Sequence, residues 1–152
     1  MNEPTPRPPG RSVLAEPAPL TRDRIAAYLH AEGYLTGTDD EGDIAGVWNG
    51  HRFWFIVLGE SDEVLQVRGR ASTVLPVERR NAALLAVNDW NRDRIWPKAY
   101  VREEEDGLAL YGEVSVELSS GVTDEQLGRL VDCGLATSIQ LFDAMVRAQP
   151  PA

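Results

Sequence analysis

The chain has 152 residues, enough for one domain with a core of its own. Its composition is that of a soluble globular protein, 43% apolar and 26% charged, and its net charge of −9 argues against a nucleic-acid backbone or an anionic membrane surface as partner. A single cysteine, Cys133, excludes an internal disulfide and a thiolate metal cage, and the chain reads as cytoplasmic.

The first 19 residues are rich in proline and poor in periodic apolar residues, so they read as a disordered arm. They lack the continuous apolar stretch of a secretory signal, and no segment is long and apolar enough to span a membrane. Pro6-Arg7-Pro8-Pro9 could be an SH3-type ligand, but a passive arm is the simpler reading. Residues 149–152 form a short tail, which leaves residues 20–148 as a single domain.

Thr21 is a good N-cap for a first helix, with Leu20 and Ile25 placed as a hydrophobic staple. Ile25, Tyr28 and Leu29 share one face, and Gly33 ends the helix in the left-handed conformation. Two strands, 44–49 and 51–58, meet at Asn49-Gly50, the signal for a type I′ hairpin. A third strand, 63–72, alternates Leu65, Val67, Gly69 and Ala71 against Gln66, Arg68 and Arg70. A second helix runs from about Val77 to Asp93 after Pro76. Strands 98–104 and 107–118 turn at Asp106-Gly107.

The last helix begins at a capping box, Thr123 with Gln126, and its apolar residues cover about half of the helical wheel. Gly134 and Ser138 fall inside that arc, where another element can approach closely. The result is an α+β fold in the order α-βββ-α-ββ-α, with an antiparallel sheet of about five strands.

Catalytic and metal-binding signatures are missing. His30 and His51 have no ligand-spaced partner, and His51 is placed to face Trp48 across the hairpin. The acidic runs 39–43, 60–63 and 103–106 sit at predicted turns and lack calcium-loop spacing. Cys133 lies towards the edge of an apolar arc with nothing to activate it. No catalytic residue, cofactor or metal site is expected, and the chain does not read as an enzyme.

The surplus is apolar. The strand HRFWFIVL is greasy on both faces, with Trp48, Phe53, Phe55 and Val57 on one side and Val47, Trp54, Ile56 and Leu58 on the other. Trp54 and Ile56, if uncovered, would form a contact patch. Leu85 and Trp90 of the second helix mark another candidate partner or dimer surface. A rival reading encloses a small ligand in an apolar pocket lined by Trp48, Phe53 or Phe55.

Asn88-Asp89-Trp90-Asn91, then Trp96-Pro97-Lys98-Ala99-Tyr100, then Gly121-Val122-Thr123 resemble the YbjN family of bacterial proteins, described as sensory transduction regulators. The resemblance covers about Leu20 to Arg147. It implies a fold similar to type III secretion chaperones, a homodimer, and a regulatory or chaperone-like adaptor that binds other proteins. Asn88, Trp90, Asn91, Pro97 and Lys98 would be its motif positions, and it brings no catalytic mechanism or ligand.

Overall fold

The computed structural model describes residues 1–6 and 16–148. Helix α1 (Arg22–Ala31) leads into strands β1 (Thr36–Thr38), β2 (Ile44–Trp48), β3 (His51–Leu58) and β4 (Val64–Leu75). Helix α2 (Arg80–Asp93), strands β5 (Lys98–Glu104) and β6 (Gly107–Glu117), and helix α3 (Asp124–Ala148) follow. The strands form one antiparallel sheet in the order β1-β2-β3-β4-β6-β5. The α+β class and the helix order agree with the sequence reading, but the sheet has six strands rather than about five. The extra strand, β1, is only Thr-Gly-Thr, all exposed, so it has no apolar alternation to betray it.

Local signals act where the sequence put them. The Thr21 hydroxyl accepts from the Arg24 amide, and Gly33 takes φ +80° after α1. Asn49 and Gly50 both adopt positive φ, which sets the twist of the β2–β3 hairpin. Thr123 and Gln126 exchange side chain–backbone hydrogen bonds of 3.0 Å each, closing the capping box of α3. Before α2 the chain makes one 3₁₀ turn, Val77–Arg79, so the α-helix starts later than expected.

All three helices contribute to one core on one side of the sheet. Ile25 and Leu29 of α1, Val87 and Trp90 of α2, and Leu127, Val131, Leu135 and Phe142 of α3 pack with Trp48, Phe53, Phe55 and Val67. Gly134 lets α3 come down on β4: a Cβ there would lie 2.7 Å from the Cβ of Val67. One turn on, Ser138 meets Gly112 of β6.

Two pieces of the N-terminal stretch lie against this domain. The backbone of Asn2 pairs with Val47 and Asn49 at 2.8 and 2.9 Å. Ala18 pairs with Val122, and Arg24 donates to the carbonyls of Ala18, Pro19 and Val122. Arg7 to Pro9 of the possible SH3-type ligand, and the tail 149–152, lie outside the described residues.

Candidate functional site

The pairing register fixes what the other side of the sheet displays, because residues directly opposite one another share a face. Ala45, Trp54, Arg68, Glu113 and Lys98 form one row across β2, β3, β4, β6 and β5. Val47, Arg52, Arg70, Tyr111 and Tyr100 form the next. No helix among the described residues packs on this face. Its β2–β3 end is apolar, with Val47 and Leu58 exposed and Trp54 half-buried under the Arg52 guanidinium, 5.1 Å from the ring.

The β4–β6–β5 end is a polar lattice. Glu113 is only 6% exposed, yet it takes Arg68 at 2.9 Å, Lys98 at 3.2 Å and the Tyr100 hydroxyl. Burial alone would push its carboxyl up. The Tyr100 and Lys98 hydrogen bonds, helped by the positive charges, outweigh that and hold it below the usual carboxylate range. Tyr100 moves the opposite way, raised by burial and then by Glu113, so the proton stays on the phenol. Beside it, Tyr111 donates to Glu104 at 2.6 Å, and Arg70 donates to the same carboxylate at 2.9 Å. The two phenol rings stack 5.1 Å apart.

At the far edge α2 runs beside β5, tied by Arg80–Glu103 at one end and by Asn91 at the other. The Asn91 side chain accepts from the Ala99 amide at 2.9 Å and donates to its carbonyl at 3.0 Å, as a neighbouring strand would. Trp90 donates from Nε1 to the Pro97 carbonyl at 3.1 Å, across a cis Trp96–Pro97 bond. Arg94 covers the Trp90 ring at 4.4 Å. The outward side of α2 leaves Leu84 and Leu85 46% and 67% exposed.

Residues 21–147 match the YbjN family, described as "Putative bacterial sensory transduction regulator". The chain belongs to the YbjN family. Two crystal structures share the fold. YbjN from E. coli, described as "a putative transcription regulator", superposes with a TM-score of 0.70 at 17% identity, over 87% of this chain and 96% of that one. An uncharacterised protein from Methanothermobacter thermautotrophicus gives 0.59 at 14% identity, over 84% and 98%. No curated protein matches the sequence. Membership places the chain among proteins described as regulators.

The YbjN motif thus becomes a corner joint. Trp90, Asn91 and Pro97 lock α2 to β5, Lys98 reaches the sheet face, and Asn88 is exposed. Of the four side chains expected at contact surfaces, two are buried within the protomer. Trp90 is 7% exposed because its own joint encloses it, and Ile56 is 8% exposed among its neighbours on the sheet. The apolar side chains left accessible there are Trp54 with Val47 and Leu58 on the sheet, and Leu85 with Leu84 on α2. The lattice around Glu113 was missed because each member reads as an ordinary outward strand residue; only the strand order brings them together.

Trp48, Phe53 and Phe55 do not line a ligand pocket. All three are fully buried, with Trp48 edge-on to the other two at 5.8 and 5.6 Å, and they form the core. His51 is register partner to Trp48, but its ring lies against Phe142 at 4.7 Å, and its Nδ1 accepts from the Ser72 amide at 3.0 Å. Burial pushes the Cys133 thiol up, away from reactivity. Among the described residues no group of three or more His, Cys, Asp or Glu side chains is placed to hold a metal ion, and no helix is long and apolar enough to cross a membrane.

Proposed function

We propose that this YbjN-family protein is a non-enzymatic regulatory adaptor that works by protein–protein contact, and that it pairs with a second copy through α2. One observation carries the reading: the sheet has all its helices on one side, and its other side presents Trp54, Val47 and Leu58 beside an ordered polar lattice. A two-sided apolar strand such as β3 needs a covering layer, and this chain supplies it on one face only. Leu84 and Leu85 give α2 the character of a helix with an unfilled partner position.

Affinity capture from lysate of the source cell tests it, with wild type beside Trp54→Asp and a fold check of both by circular dichroism. A protein retained by wild type and lost with Trp54→Asp supports the adaptor. The same set of proteins bound by both, or none after mild crosslinking, counts against it.

A further inference from the structure

The open face differs in charge from the rest of the molecule. Its outward strand positions hold five cations, Arg52, Arg68, Arg70, Lys98 and Arg102, against three carboxylates, Glu104, Glu113 and Glu117. The whole chain has 15 basic and 24 acidic residues; with Asp106 of the β5–β6 turn, which Arg70 reaches, the face holds a third of the cations and a sixth of the acids. Arg68, Arg70 and Lys98 are committed to Glu113, Glu104 and Asp106. Arg52 and Arg102 are exposed and in no ion pair among the described residues; they lie over Trp54 and Tyr111.

We propose that this face binds an acidic, apolar segment of a partner protein. The inference rests on the adaptor reading and adds the chemistry of what is bound. Arg52 on β3 and Arg102 on β5 are three strand spacings apart, and Arg102 lies two residues along β5 from the Arg52 row, so their backbones are about 16 Å apart. An extended segment rises about 3.3 Å per residue, so carboxylates about four to six residues apart reach both guanidiniums. An apolar side chain beyond Arg52, at the β2–β3 end, rests on Trp54, Val47 and Leu58. A nucleic-acid strand fits less well, because it needs free ring faces for its bases. Tyr100 and Tyr111 stack on each other, and Arg52 covers Trp54.

Fluorescence anisotropy with a fluorescein-labelled peptide of alternating leucine and aspartate tests the proposal. A leucine–lysine peptide is the control for sign, and oligothymidine for nucleic acid. The leucine–aspartate peptide is expected to bind in a salt-sensitive way and the two controls not to. Arg52→Ser with Arg102→Ser should weaken it about five- to tenfold, the worth of two exposed ion pairs. Both positions are exposed, so circular dichroism should be unchanged. No binding, equal binding of both peptides, binding of oligothymidine instead, or full binding by the double variant would overturn it. If the peptide fails while a captured protein still depends on Trp54, the chemistry proposed here is wrong and the adaptor stands; if both fail, both readings fall.

Discussion

Asn91 and Asn2 use the same device near opposite edges of the sheet. Each carboxamide pairs with both the N–H and the C=O of one residue, Ala99 in one case and Leu35 in the other. Bare strand edges invite unwanted pairing, and a side-chain amide closes them at fixed register. Asn91→Ala should cost about 1–3 kcal/mol in urea unfolding by leaving the Ala99 peptide unpaired. Asn91→Asp should cost at least as much, since its carboxylate accepts from the amide but sets a second oxygen against the Ala99 carbonyl; equal stability of all three forms would show that the pair contributes nothing. His51 supplies the pH dependence. Burial lowers its pKa below the ordinary 6.5, with Asp143 pulling partly the other way. A depressed histidine binds its proton more readily when unfolded, so its stabilising contribution is full above 6.5 and is lost as pH falls below that value. Thermal unfolding from about pH 7 to about pH 5 should show a steeper loss for wild type than for His51→Asn, whose amide oxygen can keep the Ser72 bond. Parallel profiles would contradict this.

At the scale of elements, helix α3 was the most legible, because its capping box and apolar arc lie within one continuous stretch of sequence. The small residues in that arc also predicted close approach, and β4 and β6 provide it. Two substitutions one turn apart should have opposite signs. Gly134→Ala gains helix propensity but pushes a methyl into Val67, and overpacking at a buried strand should win by about 1–3 kcal/mol. Ser138→Ala removes a buried hydroxyl that has no hydrogen-bond partner, so stability should hold or rise by about 1 kcal/mol. A destabilised Ser138→Ala would mean that the hydroxyl is paired after all. Strand β1 was illegible, and the onset of α2 was displaced by a 3₁₀ turn that propensity does not distinguish from helix. Trp90 was expected both as a motif position and as part of a contact surface, and it lies enclosed in the joint with Asn91 and Pro97.

For the whole molecule, hairpin signals and helical periodicity are local, so class and element order could be read directly. Strand order is a long-range property. Nothing in the sequence of β6 says that it inserts between β4 and β5, and that insertion builds the Glu113 lattice and turns Arg52 and Arg102 outward on one face. The two-sided strand β3 posed a correct question with two answers, and the helices resolve it by lying together on one side. Self-association is the other consequence at this scale. Light scattering of the purified chain should report two copies per particle, and Leu84→Glu with Leu85→Glu should give one; a monomeric wild type at micromolar concentration would remove the α2 pairing. The most direct measurement of the central claim replaces Trp54 with a photo-crosslinking phenylalanine analogue in the source cell, beside a control placed at Glu60 in the β3–β4 turn. The account predicts a discrete protein adduct from position 54 and not from position 60. No adduct at 54, or the same adducts from both positions, would contradict it.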